Sequence, residues 1–174
     1  MSNNKKNTFA QIWAPWRMEY IQTPEADKPK GCIFCTKPKD NKDEEDLILY
    51  RGKHIFVIMN RYPYSNGHLM VVPYRHLSDF NALTKKELYE LADITQMAIE
   101  VLKNNMHPNG FNIGFNIGES AGAGIAEHIH QHIVPRWNGD TNFMPVLSHT
   151  RVMVDGLTEC WTGSKKEFDK YVKP

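Results

Sequence analysis

The sequence has few cysteines, no excess of charge of one sign and no long apolar run, and each absence excludes a class of protein. Its 21 basic and 20 acidic residues give a formal net charge of +1. No global basic field is therefore available to hold long nucleic acid. No stretch approaches the roughly 18 apolar residues of a membrane span, and the first residues lack the apolar segment of a secretory signal. We expect a cytoplasmic protein without membrane contact.

Three cysteines among 174 residues are too few for the disulfide framework of a small secreted domain. Two of them form Cys32-Ile33-Phe34-Cys35, a spacing typical of metal or redox sites. The alternative is a pair of reduced thiols, one of them buried. Cys160 is expected to be a buried thiol. A hydrophobic content of 41% suits one globular domain.

Two short apolar runs rich in β-branched residues, 54–59 and 69–72, indicate a pair of strands. The linker between them contains Pro63 and Asn66-Gly67, which favour turns. The two runs are therefore predicted to pair as antiparallel neighbours.

The rest of the chain predicts one main helix and two further strands. Thr84-Lys-Lys-Glu87 forms a capping-box pattern, and the apolar periodicity that follows predicts a helix ending near Asn105. Alternation predicts strands over 111–117 and 128–134, separated by a small-residue loop over 118–124. This order of elements predicts an α+β fold with a largely antiparallel sheet.

The most informative segment is HIHQHIV, in which His128, His130 and His132 alternate. Residues two apart on a strand point to the same face, so three imidazoles are predicted to stand in one row. Such a row can chelate zinc in a hydrolytic site. It can also divide the roles of nucleophile, phosphate ligand and structural support. The residues alone leave both hypotheses open.

The glycine loop before the triad bears on that choice. Small residues let backbone N–H groups approach phosphate oxygens, although no Gly-Lys-Ser/Thr closes the loop as in a P-loop. A tight turn between strands is the alternative interpretation. Beside the triad we favour phosphate binding, with Gly122 and Gly124 among the contacts.

The segment HIHQHIV resembles the His-φ-His-φ-His-φ-φ signature of the histidine-triad (HIT) superfamily, with Gln131 in one apolar position. The resemblance extends over about 31–137 and includes the order of elements. It implies a HIT-like fold in a single domain, 1–174. In that domain, 1–30 would be an N-terminal arm and 138–174 a C-terminal extension.

The resemblance also implies roles for individual residues. His130 would be the nucleophile that attacks an α-phosphate and becomes a nucleotidyl-histidine. His132 would bind and polarise the phosphoryl group. Asn60 would hold the nucleotide ribose, and Asn116 would contact phosphate. Beside these roles, we expect Ile33 and Phe34 to pack against the base.

Many bacterial proteins of this family, similar to this chain, carry a Cys-x-x-Cys ahead of the first strand and bind zinc. The resemblance implies that Cys32 and Cys35 are joined by His76 and His128 as zinc ligands. A Cys₂His₂ set fills a tetrahedral ion, which makes such a zinc structural.

Two aromatic segments, IWAPWR at 12–17 and VPRWNGDTNF at 134–143, look like those of diadenosine tetraphosphate hydrolases and phosphorylases. The resemblance implies a dinucleoside polyphosphate substrate and a homodimer. Trp13, Trp16 and Trp137 would stack on a second base or, the interpretation we favour, lie at a dimer or arm interface.

Three alternatives stay open at this point. An adenosine phosphoramidase or a non-enzymatic nucleotide-binding module would retain the same fold, and a metallohydrolase would use zinc on the triad. One departure from the family pattern concerns the leaving group. Gly124-Ile125 stands where many members have Gln-Ser or Gln-Thr, so the hydroxyl that usually protonates the leaving group is absent there.

Overall fold

Five strands form one antiparallel sheet in the computed structural model, which describes residues 31–140, 153 and 155–172. Their spatial order is β1-β2-β3-β5-β4, and every neighbouring pair is antiparallel. The strands are β1 (Ile48–Arg51), β2 (Ile55–Met59), β3 (Leu69–Pro73), β4 (Gly110–Phe115) and β5 (Gln131–Arg136).

Two long helices accompany the sheet. The long helices are α3 (Lys85–Met106) and α4 (Leu157–Phe168), and two helices of a single turn, α1 (Ile33–Thr36) and α2 (Asp43–Asp46), precede the first strand. Helix α3 packs on β2, β3 and β5, and α4 packs on α3 and β1. Short 3₁₀ turns occupy Lys37–Lys39, Phe80–Ala82, Glu119–Ala121 and Asp169–Tyr171. No described helix combines the length and apolar character needed to cross a membrane.

The predicted hairpin and main helix are confirmed. Strands β2 and β3 pair from Ile55 with Pro73 to Met59 with Leu69. The turn before β3 needs Gly67, whose φ is +69° and whose added Cβ would lie 2.6 Å from the Met106 sulfur. Helix α3 begins at the capping box in which Thr84 and Glu87 bond each other's backbone N–H.

The core lies between α3 and the middle of the sheet. Every residue of β2 and β3 is buried, as the continuous apolar runs of both strands require. Helix α3 contributes an apolar stripe at helical spacing that includes Leu91, Ile94, Ala98, Val101 and Leu102. This packing fixes β3, and through it β5, which carries part of the histidine motif.

The short helices α1 and α2, strand β1 and helix α4 were not predicted. Strand β1 is a short edge strand that follows a run of charged residues. Helix α4 lies in the C-terminal extension, where the positions at helical spacing that are buried are Cys160, Ser164 and Phe168. Because two of these three side chains are small, the apolar periodicity of α4 is weak.

The strand predicted over 128–134 was misplaced. Strand β5 starts at Gln131, because its ladder with β3 begins at the pair Val71 and Gln131. The backbone N–H of Ile129 instead donates to the carbonyl of Leu77, at 2.7 Å. His128 and His130 therefore precede the ladder, and only His132 of the three histidines lies within it.

Candidate active site

His130 and His132 lie together at the start of β5. Their ring centroids are 4.8 Å apart and the rings are inclined by 73°. Both side chains are mostly withdrawn from solvent, with exposures of 5% and 9%. The two imidazoles therefore form a desolvated pair that one phosphoryl group can contact.

The hydrogen bond of His130 fixes its protonation pattern. Its Nδ1 lies 2.8 Å from the carbonyl oxygen of His128, and a carbonyl can only accept, so Nδ1 carries the proton. Burial lowers the pKa of His130, opposed by that hydrogen bond and by the charge of Glu127. A neutral ring with its lone pair on Nε2 follows, which is the form that a nucleophile needs.

A fourth histidine, His68, fixes His132 in the same way. The backbone N–H of Tyr64 donates to His68 Nδ1 at 3.1 Å, so the neutral ring carries its proton on Nε2. That nitrogen lies 2.9 Å from His132 Nδ1 and donates to it. Neutral His132 then carries its own proton on Nε2, where it can donate to a phosphoryl oxygen.

His68, which is 0% exposed, was not predicted as a site residue. The ring of Tyr64 packs over both His68 and His132, at centroid distances of 4.5 and 5.7 Å. One feature of the sequence could have identified this residue. His68 lies directly after the Asn66-Gly67 turn and before β3, and the β3–β5 pairing places it opposite the triad.

The structure brings Cys32, Cys35, His76 and His128 together, with one ligand atom of each within 4.8 Å of the others. His128 Nδ1 lies 3.2 Å from Cys32 Sγ, 3.6 Å from Cys35 Sγ and 3.3 Å from His76 Nδ1. Tetrahedral ligands at about 2.0–2.3 Å from an ion are separated by comparable distances. The donor set and its spacing therefore fit one metal ion. In the described part of the chain it is the one group of His, Cys and acidic side chains with such spacing.

A residue outside the cluster orients the ring of His128. His128 Nε2 donates to the carbonyl of Pro73 at 2.9 Å, which leaves Nδ1 free of a proton and directed at the cysteines. Burial raises the pKa of the Cys32 thiol to about 11. Binding of an ion must therefore displace the thiol proton.

The segment that carries His76 is anchored to α3. Arg75 donates to both carboxylate oxygens of Glu87, at 2.9 and 2.7 Å, and to the carbonyl of Ala82 at 2.6 Å. These contacts hold the connection between β3 and α3, while the His76 side chain itself is exposed.

Phe34 is buried against the histidine rings. It is 1% exposed, and its ring contacts those of His128 and His130 at centroid distances of 5.4 and 4.9 Å. So deep a position offers almost no surface to a nucleotide base, which corrects the expectation of a base contact. Phe34 instead packs against the imidazoles.

Asn60 follows β2 and is half-buried. Its Oδ1 accepts from the backbone N–H of Tyr62 at 2.9 Å, and its Nδ2 lies 3.4 Å from His68 Nδ1. The amide thus lies beside the His68–His132 pair, and its contact with ribose stays a prediction.

Asn116 and the glycine loop connect β4 to the histidines. Asn116 is half-buried and directly follows Phe115, which pairs with Gln131 at the start of β5. Gly122 has a φ of +83°, and its N–H donates to Glu119 within the turn at 2.9 Å. This glycine therefore shapes the loop, and its N–H is already bonded; Gly124 is exposed two residues further on.

Trp137 lies beyond the end of β5, and its indole N–H donates to the carbonyl of Met106 at 3.2 Å. The neighbouring Arg136 pairs with Asp140 and Asn112. Both side chains thus tie the strand end to its surroundings. Trp13 and Trp16 lie outside the described residues.

Comparison with known proteins agrees with this fold. The HIT domain family matches residues 41–139, and the chain belongs to the HIT family. It is 42% identical over 154 residues to the AP-4-A phosphorylase of Mycobacterium tuberculosis, covering 86% of this chain and 79% of that protein. It is 33% identical over 109 residues to an uncharacterized HIT-like protein of Methanocaldococcus jannaschii, covering 63% and 81%.

Solved structures are similar as well. A Zn-bound histidine triad family protein from Mycobacterium smegmatis has a TM-score of 0.65 and 25% identity, covering 81% of this chain and 95% of that one. A hypothetical histidine triad nucleotide-binding protein from Sulfolobus tokodaii has a TM-score of 0.63 and 27% identity, covering 80% and 90%. The α+β fold with an antiparallel sheet and one main helix is therefore confirmed.

Proposed function

We propose that the protein is a HIT enzyme that cleaves dinucleoside polyphosphates, such as diadenosine tetraphosphate, through a covalent intermediate on His130. The observation that carries this proposal is the hydrogen bond from His130 Nδ1 to the His128 carbonyl. It leaves Nε2 unprotonated in a buried ring, beside a second imidazole whose tautomer is also fixed. A nucleophile and a hydrogen-bond donor are then side by side.

In the first step, His130 Nε2 attacks an α-phosphorus in line. A phosphorus–nitrogen bond forms and the bond to the bridging oxygen breaks, so diadenosine tetraphosphate yields an adenylylated His130 and ATP. His132 donates from Nε2 to a phosphoryl oxygen as its negative charge grows. Asn60 would hold the ribose. Asn116, Gly122 and Gly124 would face the phosphates.

In the second step, an acceptor attacks the same phosphorus and releases His130. Inorganic phosphate gives ADP, and water gives AMP. The 42% identity to a protein named AP-4-A phosphorylase supports phosphate as the acceptor. Every residue assigned above would serve either acceptor, so only the reaction products identify which acceptor is used.

A zinc ion on Cys32, Cys35, His76 and His128 would have a structural role. The four ligands leave no open position for substrate. Such an ion would tie the segment Cys32-Ile33-Phe34-Cys35 (CIFC) to the connection after β3 and to the start of β5. Among the described residues, His130 and His132 belong to no group of side chains with metal-binding spacing, and their Nδ1 atoms bond the His128 carbonyl and His68. This argues against a separate, catalytic zinc on His130 and His132.

A homodimer is proposed for the assembled enzyme. Strand β4 lies at one edge of the described sheet, and it exposes Ile113 to 42%. An unpaired edge with an apolar side chain favours association with another chain. Light scattering at micromolar concentration should give twice the chain mass, and a monomer would contradict this part of the proposal.

A product assay tests the reaction. Purified protein is given diadenosine tetraphosphate with and without inorganic phosphate, and the nucleotides are separated by chromatography. We expect ADP and ATP with phosphate, and slower formation of AMP and ATP without it. Cleavage of adenosine phosphoramidate with no cleavage of the dinucleotide would contradict the proposed substrate class.

A further inference from the structure

We infer that the Cys/His cluster positions the nucleophile, His130. Two residues make the connection: His128, which belongs to the cluster and bonds His130, and Phe34, which packs against both His128 and His130. The inference rests on the proposed roles of zinc and His130. It goes beyond them, since a structural ion has no required connection to the reacting atom. Two separate contacts provide that connection here.

The first contact runs through the backbone of His128. Its ring nitrogens are both engaged, Nδ1 among the cysteines and His76, and Nε2 on the Pro73 carbonyl. A ring held at both nitrogens has little freedom about its side-chain torsions. Its own carbonyl is the group that accepts from His130 Nδ1 at 2.8 Å. Any movement of the cluster therefore moves the acceptor that orients the nucleophile.

The second contact runs through Phe34, which stands between the two cysteines in the sequence. It is buried against the rings of both His128 and His130. Helix α1, which carries it, has four residues and no side-chain cap. A helix of one turn is unstable in isolation, so external contacts must hold it. The cysteine ligands and the buried Phe34 ring supply them.

These contacts predict an effect on the chemical step in particular. Misplacing a reacting group by about 1 Å can lower a rate by about 10²-fold. Substrate binding relies on other groups, so loosening Phe34 should lower kcat while KM changes little. Phe34 is thus assigned as a positioning residue.

The test compares Phe34→Ala and Phe34→Leu with Phe168→Ala. Phe168 is 0% exposed and packs near Tyr50 at a centroid distance of 6.0 Å, so the control removes an equally buried ring in another part of the core. Each variant is characterised by thermal melting, bound zinc, kcat, KM and the ¹⁵N NMR signal of His130 Nδ1–H.

We expect Phe34→Ala to retain zinc and KM, to lose about 10-fold or more in kcat, and to show a shifted or broadened His130 signal. Phe34→Leu should recover part of the lost kcat and part of the wild-type His130 signal. Phe168→Ala should lower the melting temperature while keeping kcat within about twofold. Equal kcat in Phe34→Ala and Phe168→Ala, with the His130 signal unchanged, would overturn the inference.

Zinc removal provides a measurement that does not depend on these variants. After chelation of the wild-type protein, the His130 Nδ1–H signal should shift or broaden, while the signal of His68 Nε2–H stays. An unchanged His130 signal in folded, zinc-free protein would refute the coupling. Full activity of His130→Asn would instead refute the proposed nucleophile, so the two failures are distinguishable.

Discussion

The ion pair between Arg75 and Glu87 gives a stability prediction with a defined pH dependence. Glu87 is well buried, with its side chain 7% exposed, and the Arg75 side chain is 48% exposed. Hydrogen bonds from Arg75, together with weaker contributions from Thr84, lower the pKa of Glu87 from 4.5 to about 2, against the opposing effect of burial. The ionised carboxylate is therefore favoured in the folded state.

The magnitude follows from linkage. Lowering this pKa from 4.5 to about 2 corresponds to at most about 3–4 kcal/mol, at about 1.36 kcal/mol for each tenfold change in proton affinity. Solvent screens the half-exposed guanidinium, so we expect about 1–2 kcal/mol. Because the folded-state pKa is depressed, this stabilisation is present above the unfolded pKa near 4.5. It is lost as the pH falls toward 2.

The change is Glu87→Gln, which keeps the capping box available, since glutamine also accepts from the Thr84 N–H. Urea unfolding of both proteins at pH 7, 5 and 3 gives the difference in unfolding free energy. Wild type should be more stable by about 1–2 kcal/mol at pH 7 and 5, with a smaller difference at pH 3. Glu100→Gln, an exposed site on the same helix, is the control. A difference that does not change with pH would refute the reasoning.

Three further predictions concern the site. His68→Asn removes the donor to His132 Nδ1, so kcat should fall by about 10²-fold, and wild-type activity would show that His68 is dispensable. Elemental analysis should find one zinc per chain, and its absence with both CIFC thiols alkylated in native protein would exclude the metal site. Trp137→Phe keeps the aromatic ring and removes the hydrogen bond to Met106. It should cost about 1 kcal/mol of stability with kcat/KM within about twofold; a large loss of kcat/KM at unchanged stability would contradict this assignment.

The parts of the fold that sequence could predict are those in which local pattern and burial coincide. The apolar runs of β2 and β3 are buried on both faces, and α3 starts at a capping box and keeps a regular apolar stripe. Helix α4 escaped prediction because Cys160 and Ser164 carry little apolar signal on its buried face.

The site was predictable only in part, because its contacts join distant segments. The resemblance drew attention to His130, His132 and the cysteines, and the structure brings the cysteines to His128 across more than 90 positions of sequence. His68 meets His132 across 64 positions, a contact that depends on the β3–β5 pairing. No local pattern encodes it.

The position of Phe34 was also beyond local pattern. The CIFC motif says that an apolar residue lies between two ligands, and it does not say which way that residue points. Burial against His128 and His130 follows from the orientation of a one-turn helix, which tertiary contacts decide.

The central claim is that His130 carries the nucleotide during the reaction, and trapping that adduct tests it most directly. Wild-type protein is mixed with diadenosine tetraphosphate, quenched within one turnover, digested and examined by mass spectrometry. We predict an acid-labile adenylyl group on the peptide that contains His130, and neither adduct nor turnover in His130→Asn. Turnover by His130→Asn at close to the wild-type rate, or wild-type turnover without an adduct on this peptide, would contradict the account.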